Sequence, residues 1–158
     1  MRCAVLTISS AVAAGVNRDT SGEVLTTAAR ELGAEVVAQA VVSDDQGAIE
    51  AWLREQVAAG LELILTTGGT GLTADDLTPE ATRAVIDREV PGIAEAMRAE
   101  SVRKTPMGML SRTMAGAAGK TLIINFPGNP RAVGELFPVV APVLGHAVGL
   151  LQGERVEH

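Results

Sequence analysis

Apolar and polar positions switch between two periods along this chain, and the switches mark out its elements. Cys3 to Ile8 is an unbroken run of apolar and β-branched residues, the pattern of a strand buried on both faces. A small-residue loop, Ser9 to Asp19, follows it. Thr20-Ser21-Gly22-Glu23 then fits a capping box, with Thr20 as N-cap and Glu23 reaching back. Val24, Leu25, Ala28 and Leu32 recur at helical spacing, and Gly33 supplies the stop. Glu35 to Val42 reads as a second strand. Ser43-Asp44-Asp45-Gln46 opens a helix with the apolar stripe Ile49, Trp52, Leu53 and Val57, closed by Gly60. Leu61 to Leu65 is the third strand-like run. Strand, helix, strand, helix and strand joined by short connections require parallel strands with helices covering both faces.

The second half is less regular. Pro79 to Asp87 predicts a short helix, and Pro91 starts another that runs to about Lys104. Leu110 to Ala115 and Lys120 to Asn125 are strand-like runs joined by Gly116-Ala117-Ala118-Gly119, a hairpin that makes the sheet mixed. Pro127-Gly128-Asn129-Pro130 is a tight turn that launches the last helix, with Asn129 as N-cap and Pro130 at its first position. Val133, Leu136, Val140, Leu144 and Val148 stay in phase along that helix, and Gly153 and a polar tail, Glu154 to His158, end it. No repeat, linker or low-complexity segment interrupts the pattern, so residues 1–158 are expected to form one domain.

Composition narrows the function classes. Hydrophobic residues make up 47% of the chain and charged residues 20%, the balance of a globular protein rather than a disordered one. A net charge of −6 argues against non-specific nucleic-acid binding, which needs a basic face. Aromatic residues are 2% and tyrosine is absent, which argues against base-stacking platforms as well. Cys3 is the only cysteine, so neither an internal disulfide nor a cysteine zinc cluster can form. The apolar run after Arg2 is too short for a secretion signal. Leu136 to Leu151 is almost wholly apolar but shorter than a membrane span and broken by prolines and glycines. Both read as core elements of a cytoplasmic protein with no membrane partner.

The candidate chemistry lies at the carboxyl ends of the predicted strands, where open α/β sheets bind ligands. Ser9-Ser10, Asp44-Asp45 and Thr66 to Asp76 all fall at that edge. Glycines in Thr66-Thr67-Gly68-Gly69-Thr70-Gly71 permit exposed N–H groups to converge on an anion, and Asp75-Asp76 follows after Leu72-Thr73-Ala74. Gly69, Gly71 and Ala74 nominally satisfy a dinucleotide fingerprint, but no helix opens immediately after them and the preceding strand is the third. Gly119-Lys120-Thr121 looks like the end of a phosphate-binding Walker loop, yet Met114 stands where its first glycine belongs. Asp44 and Asp76 can each be read as a local cap. Their placement beside the glycine-rich bend also suits Mg²⁺ held jointly with phosphate oxygens, whereas Asp45 and Asp75 read as solvated neighbours. Arg112 and Arg131 offer donors to an anion, while His146 on the apolar last helix reads as packing. No Ser-His-Asp pattern is present, and chemistry without a nucleophilic side chain fits phosphoryl or nucleotidyl transfer.

Leu65-Thr66-Thr67-Gly68-Gly69-Thr70-Gly71, followed by Asp76-Leu77-Thr78-Pro79-Glu80-Ala81-Thr82, resembles the MogA, MoaB and gephyrin G-domain family of molybdenum cofactor biosynthesis. Val42-Ser43-Asp44-Asp45, Leu110-Ser111-Arg112 and Leu122 to Pro130 are similar to other motifs of that family, so the likeness runs through essentially the whole chain. The resemblance implies a three-layer α/β/α sandwich with a mostly parallel mixed sheet, assembled as a homotrimer. It further implies transfer of AMP from Mg·ATP to the terminal phosphate of molybdopterin, with release of pyrophosphate. The family's two essential aspartates match Asp44 and Asp76. Its ligand-binding loops match Thr67, Gly68, Gly69, Thr70 and Gly71 and the turn of Pro127, Gly128 and Asn129, and Ser111 matches a serine of the substrate region. One departure is visible: the family's first loop commonly reads Ser-Asp, and here it is Ser9-Ser10. The same resemblance leaves open a non-catalytic molybdopterin-binding or scaffold protein of the MoaB type, and more distantly the related CinA or molybdenum-insertion domains.

Overall fold

The computed structural model describes residues 1–155. Six strands form one sheet in the order β2-β1-β3-β6-β5-β4, with β1 at Arg2–Ile8, β2 at Glu35–Val42, β3 at Leu63–Thr67, β4 at Arg88–Glu89, β5 at Ala115–Ala118 and β6 at Thr121–Phe126. β1 pairs in parallel with β2 and β3, and β3 with β6. β5 and β4 add an antiparallel margin. The helices are α1 (Ser10–Ala13), α2 (Thr20–Glu31), α3 (Gln46–Ala58), α4 (Thr78–Val85), α5 (Pro91–Lys104) and α6 (Pro130–Gln152).

Side chains alternate across the sheet with the strand period of two, which builds two cores and three layers. Cys3, Val5, Leu63, Leu65, Leu122 and Ile124 face α2, α5 and α6, meeting Leu25, Met97, Val133, Leu136 and Leu144. Ala4, Leu6, Ile8, Ile64 and Ile123 face α3 and α4, meeting Ile49, Leu53 and Ala81. The mostly parallel sandwich expected from the chain pattern is therefore the observed architecture. α6 is long and apolar enough to cross a membrane by length and composition, yet its buried stripe packs on the sheet core. Pro138 and Pro142 lie on its exposed side.

Several local expectations need correction. Asp19, not Thr20, caps α2, accepting from the Gly22 N–H at 3.0 Å. The Thr7 hydroxyl donates to the same carboxylate at 2.8 Å, and Glu23 turns outward to Arg18 instead. The loop after β1 contains α1, capped by Ser9. Asp45 is not merely solvated: it caps α3 through Ala48 N–H at 2.7 Å. The third strand begins two residues late, because Cys3 pairs with Leu63 and Thr7 with Thr67. The hairpin exists, but Gly116 to Ala118 belongs to β5 and the turn is Gly119-Lys120, with Gly119 at φ +58°. Gly116 is required inside the strand, since a Cβ there would stand 2.7 Å from the Arg88 carbonyl. Leu110 ends a short 3₁₀ turn, Pro106–Leu110, instead of starting a strand. The last helix keeps its expected cap, Asn129, and its glycine stop, Gly153 at φ +88°. Of the polar tail, Val156 to His158 lie outside the described residues.

Candidate functional site

A cleft of about 320 Å³ opens at the carboxyl edge of the parallel strands. Thr7 and Ile8 from the end of β1, Asp44 from beyond β2, Gly68 and Gly69 from beyond β3, and Gly128 from beyond β6 all reach it. Asp76 and the start of α2, Asp19 to Ser21, complete the wall. Parallel pairing in the order β2-β1-β3-β6 aligns these strand ends, so residues far apart in sequence converge.

The glycine bend has a steric basis. Gly68 sits at φ +101° and Gly69 at φ +67°, where side chains are disfavoured. A Cβ on Gly68 would run into the Ile8 carbonyl, and one on Gly69 into the Thr78 hydroxyl. Thr78 holds the bend from below: its hydroxyl donates to Gly68 O at 2.8 Å and its N–H to Gly69 O at 3.1 Å. The Gly68 N–H is taken by Phe126 O. Among the described residues, the N–H groups of Gly69 and Gly128 donate to no protein acceptor, which leaves them for a ligand.

Each aspartate is held by one oxygen. Asp44 Oδ2 accepts from the Ser10 N–H at 3.0 Å and the Ser10 hydroxyl at 2.8 Å, and Asp44 N–H donates back to Ser10 Oγ. Asp76 Oδ2 accepts from the Thr73 N–H at 2.9 Å and the Thr73 hydroxyl at 2.8 Å. Neither Oδ1 accepts a hydrogen bond among the described residues. Neither aspartate caps a helix, since Asp45 serves α3 and α4 has no side-chain cap. Asp75 is exposed.

The remaining sequence-predicted residues lie one step back from the cleft. The Thr67 hydroxyl donates to Pro127 O at 2.7 Å, tying the ends of β3 and β6 together. Asn129 caps α6 through Arg131 N–H. Thr70 is buried and its carbonyl accepts the Arg112 N–H at 2.9 Å. Gly71 makes room for Asp76, because a Cβ there would stand 2.8 Å from Asp76 Oδ2. Ser111 is not in this cleft; it opens onto a separate pocket with Arg98, and its hydroxyl donates to Thr113.

Arg112 also departs from its expected use as an anion donor. Its guanidinium donates to Gly71 O at 2.7 Å and Asp76 O at 2.6 Å and pairs with Glu80. That hydrogen bond holds the Glu80 carboxyl below the usual carboxylate range and raises the Arg112 guanidinium. Arg131 pairs with Glu135 at 3.0 Å, and His146 lines an apolar groove between α5 and α6. Sequence reasoning missed Thr7, Arg18, Asp19 and Ser21 as cleft residues. Asp19 carried the only available signal, a carboxylate directly before a helix that follows the first strand.

The donor chemistry fits a hard cation. Three carboxylates line the cleft; both oxygens of Asp19 are taken by Thr7 and Gly22, whereas Asp44 and Asp76 each keep an oxygen to spare beside N–H groups suited to phosphate oxygens. Among the described residues no group of three or more His, Cys, Asp or Glu is placed to hold a metal ion. The arrangement thus suits Mg²⁺ shared with phosphates and water rather than a cage made by protein alone.

Comparison with known proteins places this geometry. Residues 4–146 match the family described as probable molybdopterin binding domain. The chain is 35% identical over 156 residues to a molybdopterin adenylyltransferase of Helicobacter pylori strain J99, covering 97% of this chain and 89% of that protein. It is 40% identical over 153 residues to the molybdenum cofactor synthesis protein cinnamon of Drosophila melanogaster, covering 93% of this chain and 25% of that one. A crystal structure of the molybdopterin biosynthesis enzyme MoaB from Thermus thermophilus superposes with a TM-score of 0.91 at 44% identity, covering 99% of both chains. Against the longer relatives the chain spans only 22% to 49% of their length. A match through nearly the whole sheet, its helices and its glycine bend settles the kinship: the chain belongs to the molybdopterin-binding domain family of molybdenum cofactor biosynthesis.

Proposed function

We propose that the cleft binds molybdopterin and Mg·ATP and transfers AMP to the terminal phosphate of the pterin. The convergence of Asp44 and Asp76 beside the free N–H groups of Gly69 and Gly128 carries this reading. In the reaction, a phosphate oxygen of molybdopterin attacks the α-phosphorus of ATP, a new P–O bond forms, and the bond to the β-phosphate oxygen breaks. The electron pair leaves with pyrophosphate, and no side-chain nucleophile is required. Asp44 and Asp76 would hold Mg²⁺, which when bound neutralises charge on the phosphates. Gly68 and Gly69 shape the phosphate-facing bend, and Gly69 and Gly128 donate their N–H groups to phosphate oxygens. Thr67, Thr70, Gly71, Pro127 and Asn129 keep that backbone in place. Ser111 matches the family's substrate-region serine but opens onto the separate pocket with Arg98, so it is given no contact in this cleft.

Incubation with molybdopterin and Mg·ATP should yield adenylylated pterin and pyrophosphate. Asp44→Asn and Asp76→Asn should each lower the rate by roughly a hundredfold or more, the scale of losing an electrostatic contact in such a site. Wild-type rates in both variants would remove the assigned roles. A second reading, a MoaB-type protein that binds the pterin without turning it over, draws on the family description, which names binding alone. Tight molybdopterin binding with no ATP-dependent product would select it. The same family reading carries a homotrimer and a cytoplasmic location, tested by sedimentation of the full chain and by fractionation of cells expressing it.

A further inference from the structure

Asp44 and Asp76 stand on different segments, yet both are restrained in the same way. In each, Oδ2 receives one backbone N–H and one hydroxyl, from Ser10 in one case and Thr73 in the other, at 2.8 to 3.0 Å. A carboxylate oxygen has two lone pairs, so these bonds saturate Oδ2 and leave only Oδ1 to a ligand. The Ser10 contact joins residues 34 apart in sequence and is reciprocated by the Asp44 N–H at 3.0 Å, so it is not a local turn. Gly71 preserves the second contact by leaving space beside Asp76 Oδ2.

We propose that Ser10 and Thr73 set the cation selectivity of the cleft by forcing both aspartates to bind through a single oxygen. The proposal rests on the Mg²⁺ reading given above and adds what restricts it to that class of ion. Ca²⁺ reaches its high coordination number readily through bidentate carboxylates and flexible ligands. Mg²⁺ keeps an octahedral shell, retains waters and takes one or two carboxylate oxygens alongside phosphate. Two monodentate aspartates supply what Mg²⁺ accepts and withhold what Ca²⁺ gains. Ser10 and Thr73 touch neither substrate nor metal in this scheme; they are positioning residues acting through Asp44 and Asp76.

The test needs no turnover. Mn²⁺ is added to the full chain together with a non-hydrolysable ATP analogue that supplies the phosphate oxygens, its protein-bound fraction is followed by electron paramagnetic resonance, and Mg²⁺ or Ca²⁺ is titrated in competition. In the wild type Mg²⁺ should displace Mn²⁺ at lower concentration than Ca²⁺. The Ser10→Ala/Thr73→Val double variant opens lone pairs on both Oδ2 atoms and should shift the ratio roughly tenfold toward Ca²⁺, the scale of an outer-shell change at a metal site. Ser10→Thr and Thr73→Ser keep the hydroxyls and should keep the wild-type ratio, which separates selectivity from general loosening of the loops. An unchanged ratio in the double variant, or a wild-type preference for Ca²⁺, overturns the proposal. Failure of Mn²⁺ to bind, or equal binding by Asp44→Asn/Asp76→Asn, removes the metal site and the proposal with it. Preserved selectivity in a protein that forms no adenylylated pterin would overturn only the catalytic reading.

Discussion

Gly68 and Gly134 show how much a glycine's surroundings decide. Gly68 is held at φ +101° with the Ile8 carbonyl where a Cβ would go, whereas Gly134 lies within α6 with open space around it. Gly68→Ala should therefore destabilise the fold by about 3 kcal/mol, combining backbone strain with a clash against main chain. Gly134→Ala should stabilise it by up to about 1 kcal/mol through helix propensity. Urea unfolding of the two variants tests the pair, and equal effects would contradict the steric account of the bend. At this scale the sequence showed residue types more reliably than partners. Asp76 was separable from Asp75 because it matches the family's essential aspartate, and the structure does put Asp76 in the cleft and Asp75 outside it. Arg112 was not readable in the same way. A lone arginine offers donors to an anion or to backbone carbonyls equally well, and only the folded loop shows that Gly71, Asp76 and Glu80 receive them.

The loop between β3 and α4 behaves as an element of its own because of Arg112. Carbonyls at Thr70, Gly71 and Asp76 all accept from this residue, and the loop has no regular secondary structure to replace those bonds. Arg112→Ala should cost about 1–3 kcal/mol, leave Glu80 without its partner, and expose the segment around Leu72 to limited proteolysis while the sheet stays intact. Arg112→Lys should restore little, since one ammonium cannot reproduce a fork aimed at separate carbonyls. Digestion of the variants at matched protease concentration reads this directly, and a wild-type cleavage pattern in Arg112→Ala would show that other contacts hold the loop. Elements with clear boundary signals, such as α5 with Pro91 at its start and the apolar run of β2 after Glu35, were legible, as was the Asn129 cap of α6. β4 was not, because two exposed residues carry no period and are defined only by pairing with Ala117 and Gly116. The start of β3 was misplaced for a related reason: Leu61 is buried like a strand residue, but its carbonyl is spent on the Thr121 hydroxyl outside the ladder.

For the molecule as a whole, the groups with displaced protonation equilibria predict the shape of its pH–stability curve. Glu80 is held down by the hydrogen bond from Arg112, and Asp87 by the Gly119 N–H at 2.6 Å and then Arg88. A carboxyl depressed in the folded state contributes stability that is complete above its unfolded value, about pH 4, and disappears as pH falls through the folded value. Cys3 moves the other way. Burial in the middle of the sheet pushes its thiol up to about 12. In the unfolded chain that thiol ionises at about pH 8.5, so between there and the folded value the unfolded state releases a proton that the folded state retains. Stability therefore declines as pH rises through that window. Urea midpoints should form a plateau from about pH 5 to 8, with an acid limb below and an alkaline limb above. Glu80→Gln should flatten part of the acid limb, and Cys3→Ala should flatten the alkaline limb even though it lowers the plateau by removing a buried sulfur. The slopes, not the absolute midpoints, carry the test, because cavity formation is independent of pH and the ionisation linkage is not. An alkaline slope unchanged in Cys3→Ala would mean that another group, not the buried thiol, loses its proton on unfolding.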